Sequence, residues 1–514
     1  MPALVVVLLT LAPAWYLVVR ATERGWGPWQ EAFDNSAFPL LGRSIALAAA
    51  VSAASVAVAL PAAWLTTRAD LRFRRAWAVV LSLPLAIPSY VMALTVVAAL
   101  GPRGILQDWL EPFGVEQLPV IYGFRGAALA LTAVSFPYVF LVLRAALSAA
   151  DPSLEEASRA LGRGAWHTFL RISLPPLAPA VAAGVLLVAL YALSDFGAVS
   201  TLRYNSFTTA IFIQYQSSFD RTGAAVLGVM LAAVTAVILA GELLVRSRSP
   251  ERIRLRRQRP PRPVRLGLGQ WPAAAFLAAV ALFSLVLPVG VLAYWLVRGI
   301  AGDADFPALA APVRHTLTAS AGAAAITVVL ALPIAILATR FAGVRARAIE
   351  QSAYLTHALP GLVVALALVF FGIRYATPLY QTVWLMLAAY VILFLPNALS
   401  ALRSPLARQD RSLDDAAASL GRAPARVIAT VTLPLARPGM AAAAALVFLT
   451  TMKELPATLL LSPPGYRTLP GIIWGASNDA LFASAALPAL LLIALAAIPV
   501  AFLAWRGDIE SVDS

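Results

Sequence analysis

Twelve stretches of this chain stay apolar for about the 20 residues a helix needs to cross a hydrocarbon layer, which restricts the fold more than any other feature. The first six lie near 2–19, 44–67, 76–100, 126–149, 176–197 and 223–245. The others lie near 271–297, 316–339, 351–372, 382–402, 435–459 and 485–505. Inside lipid every backbone N–H and C=O must be satisfied within a helix or a closed barrel. These runs are far longer than the ~10-residue alternating segments of a barrel strand, so helices are expected. A soluble chain of 514 residues could not hide a mean hydropathy of +0.81. The expected fold is an all-α polytopic membrane protein. The first run, PALVVVLLTLAPAWYLVV, has no basic leader and no small-residue cleavage site, and reads as an uncleaved span. There is no cysteine, hence no disulfide, thiolate metal site or lipidated thiol.

A net charge of +14 raises nucleic acid as a partner, but the placement of the charge argues against it. Nine arginines fall between Arg246 and Arg265, beside the single acid Glu251. That is the pattern of a cytoplasmic linker facing lipid headgroups. The other basic loops, among them Arg68–Arg75, Arg340–Arg347 and Arg506, alternate onto the same side, which places both termini in the cytoplasm.

The two halves repeat. LPAAWLTTR at 60–68 matches LPIAILATR at 332–340, an offset of 272 that Pro88 and Pro360 keep. Beyond the outer loop near 101–125 the offset is 259, linking Pro137 with Pro396, Arg144 with Arg403 and Gly162 with Gly421. The division is 1–245 for one six-span repeat, 246–270 for the basic linker and 271–514 for the second repeat. Parallel repeats suit a translocation path between two halves, a symmetry that a channel or a secondary carrier could share.

Two polar segments interrupt this oily chain at equivalent places: LEEASRALGRGAWHTFLRISLPPL (154–177) and LDDAAASLGRAPARVIATVTLPLA (413–436). Ser153 and Ser412 each precede an acid, Glu156 and Asp415, by three residues, a capping-box spacing that starts a helix. Leu154, Ala157 and Leu161 make an apolar stripe. Gly162 and Gly421 should end that helix in the left-handed region. Pro424 suits the first turn of a second helix, and Leu174-Pro175 and Leu433-Pro434 should break it before the next span. Each segment therefore reads as a helix–turn–helix hook on the cytoplasmic surface. Amphipathic connectors alone would look similar.

The spacing goes further. It resembles the EAA signature of ABC-importer permeases, here Glu156-Ala157-Ser158, Gly162, Ile172 and Leu174-Pro175, with Asp415-Ala416-Ala417, Gly421, Val431 and Leu433-Pro434 in the second copy. Ser158, Asp415 and Val431 depart from it conservatively. The resemblance implies a type I permease fold, with each hook docking on one of two copies of a cytoplasmic ATPase. It also implies a periplasmic or lipid-anchored binding protein and a bacterial inner membrane. The chain holds no GxxxxGK[ST] motif, so ATP and Mg belong to the partner and no cofactor is expected on this chain.

The segments 193–215 and 452–474 look like those of fused iron(III) permeases, with thiamine, polyamine and sulfate permeases as further relatives. The 259 offset pairs Asp195 with Glu454 and Ser194 with Lys453. Carboxylates at a span end tend to face the bundle interior or water. With Tyr191 or Tyr204 nearby they would suit a hard, oxygen-seeking cation. Equally, they could cap or brace an outer gate. His167, His315 and His357 show no ligand spacing. An ion-driven secondary transporter would need coupling charges inside the spans and would leave the hooks unexplained, and a membrane sensor would need an output domain.

Overall fold

The computed structural model describes residues 2–102, 104–115, 117–150, 153–218, 220–248, 264–302, 308–341 and 343–510. Most of the basic linker, 249–263, lies outside the described residues. Among those described, regular structure is helical, apart from one isolated bridge between Ala69 and Val264. The principal helices of the first half are α1 (Pro2–Thr22), α2 (Phe38–Arg68), α3 (Arg74–Ser82), α4 (Ser89–Leu100) and α5 (Phe124–Ala149). They are followed by α6 (Ser153–Ala160), α7 (Ala178–Ser194), α8 (Gly197–Thr201) and α9 (Arg221–Arg248). The second half holds α10 (Leu287–Ala301), α11 (Ala310–Arg340), α12 (Val344–Leu355), α13 (Gly361–Tyr375) and α14 (Val383–Arg408). It ends with α15 (Arg411–Ser419), α16 (Leu433–Met452), α17 (Pro456–Leu461) and α18 (Phe482–Glu510). Eleven of the described helices can cross a membrane, and the bent pair α12–α13 makes twelve.

The third and ninth runs differ from the continuous helices expected at 76–100 and 351–372. Each is broken, α3 from α4 at Pro88 and α12 from α13 at Pro360; the second pair bends by 99°. Proline has no N–H to give the preceding turn, and it pushes the residue before it out of the helical region. Ile87 and Leu359 accordingly sit at ψ 120° and 112°. At 1.5 Å per residue, the 9 residues of α3 and the 12 of α4 reach about 14 and 18 Å, so neither helix alone matches the roughly 30 Å of a hydrocarbon core. Two runs also end earlier than expected: α7 stops at Ser194 and α16 at Met452, where charged residues follow.

Contact clustering gives two compact units. One comprises Ser36–Ala210, Val237–Phe306 and Ile473–Ser514. Its centre is the trio α2, α5 and α7, with α4 against α5 and α8, and α10 and α18 against each other. Small residues let these helices approach. A Cβ on Gly184 of α7 would come within 3.2 Å of Val139 on α5, and the Ser55 and Ser135 hydroxyls bond at 3.2 Å. The other unit comprises Met1–Asn35, Ile211–Ala236 and Pro307–Ile472, and repeats that plan with α11, α14 and α16, and α13 against α17. Its Gly439 would place a Cβ 2.7 Å from Pro405 of α14. Here α1 packs on α11 and α13. Duplication sets the repeats, while burial sets the units, so α1 belongs to the first repeat in the chain and packs with helices of the second.

Candidate functional site

The hook sequences fold as two short helices around glycine. Gly162 and Gly421 stand at φ +78° and +81°, the left-handed region that glycine enters without steric cost. In the second hook the Gly421 N–H donates to Ala418 O (2.9 Å) and Arg422 N–H to Ala417 O (3.3 Å), the Schellman pattern. In the first, Arg163 N–H donates to Ser158 O at 3.2 Å. The departure at Ser158 has a local partner. Its hydroxyl bonds Thr168 at 2.9 Å across the two hook helices, where the equivalent Ala417 and Val427 are both buried and apolar.

Two expectations for the hooks are corrected. The second hook is capped by Asp410, whose carboxylate accepts the Ser412 N–H at 3.0 Å, while Ser412 lies inside the helix. Aspartate reaches that N–H from the position one residue before the helix, and the bond holds its carboxyl below the usual range. In the first hook Ser153 opens α6, and Asp151 lies outside the described residues. Nor does the second Leu-Pro pair stop the helix. A wide π-turn precedes each pair, with Leu174 N–H to Phe169 O at 2.8 Å in the first copy. In the second hook this i→i+5 geometry absorbs Pro434 and the chain runs straight into α16, whereas in the first a bend at Leu174 and a 3-10 turn over Pro175–Leu177 separate the hook from α7, as expected.

Glu156, Ala157, Asp415 and Ala416 are exposed, as are Gly162, Gly421 and Pro175; Leu174, Leu433 and Pro434 are half-buried. Beside the glycines, Leu161 and Leu420 are 82% and 80% exposed. An outward acid and a bare leucine at the same place in each hook form a small amphipathic knob. Exposed arginines flank it in both copies, Arg163 and Arg171 in the first and Arg422 and Arg426 in the second, so the surface carries both signs of charge.

The acids after the spans are helix caps. Asp195 is 9% exposed, and its Oδ1 accepts Ala198 N–H at 2.8 Å and Val199 N–H at 3.4 Å. Ser89, first residue of α4, faces both this carboxylate and the Tyr191 hydroxyl. Glu454 Oε1 accepts Ala457 N–H at 3.0 Å, and a Cβ on Gly361, first residue of α13, would lie 2.6 Å from the same oxygen. Each acid therefore sits where the second half of a broken span begins, against the positive ends of two helices. Tyr204 lies elsewhere: its hydroxyl donates to Arg43 O at 2.9 Å. Ser194 ends α7, and Lys453 is the residue after α16. No group of three His, Cys, Asp or Glu that could hold a metal ion occurs among the described residues.

Sequence reading missed a second acid in each hook. Glu155 and Asp414, one residue before the signature acids, turn inward. Arg340 Nη2 lies 2.9 Å from Asp414, and Arg68 Nη2 lies 3.9 Å from Glu155. The signal was present, since the LPAAWLTTR and LPIAILATR matches both end on these arginines and both hooks begin with an acid doublet.

Eleven or twelve helices able to cross a membrane among the described residues, in a duplicated plan with one polar hook per copy, are the architecture of a membrane permease. The chain belongs to the family of binding-protein-dependent transport system inner membrane components, whose model matches residues 55–249 and 318–506. It is 36% identical to an Fe(3+)-transport system permease of Haemophilus influenzae, over 95% of this chain and 94% of that one. A ferric transport system permease of Actinobacillus pleuropneumoniae is 26% identical over 91% of this chain and 71% of its own length. The molybdenum transport system permease of Escherichia coli is 32% identical, over 40% of this chain and 93% of its own.

Proposed function

We propose that the chain is the permease of an ATP-driven importer of ferric iron. It receives the ion from a periplasmic or lipid-anchored binding protein. Two copies of a cytoplasmic ATPase dock on the two hooks and supply the ATP and Mg chemistry. The permease spans a bacterial inner membrane with both termini in the cytoplasm. The observation that carries this reading is the near-full-length likeness to a fused iron permease, whereas the molybdenum relative covers less than half the chain.

Reconstitution with the ATPase and binding protein is expected to give ATP-dependent uptake of radiolabelled ferric iron, and native mass should show one permease per two ATPases. Uptake of thiamine or sulfate in place of iron would overturn the substrate, and two permease chains per complex would overturn the architecture.

Asp195 and Glu454 each cap a helix beside the start of the second half of a broken span. Asp195→Asn with Glu454→Gln keeps an acceptor oxygen for each cap but loses the charge. Each change is expected to cost about 1 kcal/mol, the gap between charge-assisted and neutral hydrogen bonds. Iron uptake should fall while the complex still assembles. Unchanged uptake together with an unchanged melting midpoint would remove these carboxylates from the gate.

A further inference from the structure

The inward acids belong to a four-part node built twice. In the first copy Arg68, the last residue of α2, donates to Ala150 O at 3.0 Å and faces Glu155 at 3.9 Å, while Ser173 Oγ donates to Glu155 at 3.0 Å. In the second, Arg340, the last residue of α11, bonds Gln409 through its backbone O (3.5 Å) and its side-chain Oε1 (3.0 Å). It pairs with Asp414, and Thr432 Oγ1 donates to the same carboxylate at 3.3 Å. The members correspond one to one at the repeat offsets of 272 and 259. Each node thus joins the end of one span, the carbonyl that closes the next span but one, the first turn of the hook and the end of its second helix.

We infer that this node is a clasp that fixes the hook rigidly to the spans, and that Glu155 and Asp414 are positioning residues that carry hook displacement into α2 and α11. Arginine keeps its charge at any working pH, and the Arg68 side chain is only 2% exposed, so it requires a fixed anion. Adjacent helical residues point about 100° apart, which explains the doublet: one acid faces the clasp while its neighbour, Glu156 or Asp415, faces the docking partner. This inference rests on the importer reading for its transport effect but not for its geometry.

The test therefore uses two readouts. The chain has no cysteine, so a nitroxide on Leu420→Cys is the sole label and reports hook order in the full-length permease without any partner. Asp414→Asn should raise label mobility, and Asp414→Glu, which borrows the acid of the first copy, should not. In the reconstituted complex, Glu155→Gln with Asp414→Asn should retain ATP hydrolysis but lower solute moved per ATP at least tenfold. Glu155→Asp with Asp414→Glu should stay within about twofold. Unchanged label mobility in Asp414→Asn would overturn the clasp, even if the wild-type complex moved no iron. Wild-type uptake per ATP in the amide pair would overturn its coupling role, as would an equal loss in the acid-exchanged pair.

Discussion

Valine in place of both Gly162 and Gly421 is expected to abolish uptake while the spans stay folded. A Cβ at either position meets nothing within 4 Å, so the penalty is purely one of backbone conformation. A side chain held at φ near +80° costs roughly 1–3 kcal/mol, and β-branched residues fare worst. Release of that strain unwinds the Schellman turn and swings the exposed leucines Leu161 and Leu420 away from their docking geometry. With both hooks affected, about 2–6 kcal/mol opposes the docked form, enough to lower its population by about thirtyfold to more than ten-thousandfold. Asparagine tolerates the left-handed region, so activity should rank glycine, asparagine, alanine, then valine. ATPase co-purification and uptake across the four variants would show it, against a constant melting profile of the membrane part. Valine variants that match the asparagine variants would mean that the turn does not set the docking geometry.

That ranking rests on features the sequence displays openly. Gly162 and Gly421 stand in polar stretches where local chemistry dominates, so spacing predicted the turn conformation. The span count was legible for the same reason, since hydrophobic length is a local property. The breaks at Pro88 and Pro360 were not read, because an apolar run looks alike whether its helix is straight or bent, although the prolines keep the repeat offset. The packing of α1 on α11 and α13 has no local signal at all, because the choice of partner is made by burial between distant segments. The clasp fell between these cases. Its arginines and acids were visible, but which acid of each doublet turned inward depended on the helix phase. The capping residue of the second hook was misread by two positions, because Asp410 and Ser412 are both good caps and only the helix start decides between them.

Exchanging the two versions of the acid cap is expected to rescue what each single change destroys. In the first repeat a serine, Ser89, opens the second half-span and meets a short acid, Asp195. In the second a glycine, Gly361, opens it and meets the longer Glu454, whose oxygen lies 2.6 Å from where a Cβ would stand. Serine with aspartate and glycine with glutamate fill the same space in two ways. Gly361→Ser alone pushes the carboxylate off the Ala457 N–H that it accepts at 3.0 Å, an overpacking loss of about 1–3 kcal/mol. Glu454→Asp alone withdraws the acceptor by one methylene and leaves that N–H unpaired, again at about 1–3 kcal/mol. The double variant Gly361→Ser/Glu454→Asp recreates the first repeat's pair, so the two losses should cancel by about 1–3 kcal/mol rather than add. The thermal midpoint and iron uptake of the wild type, both singles and the double form the cycle. Strict additivity would mean that the two residues do not share one cap. Recovery of both readouts would mean that one geometric requirement, an anion held against the start of the second half-span, has been met twice by different residues in a duplicated chain.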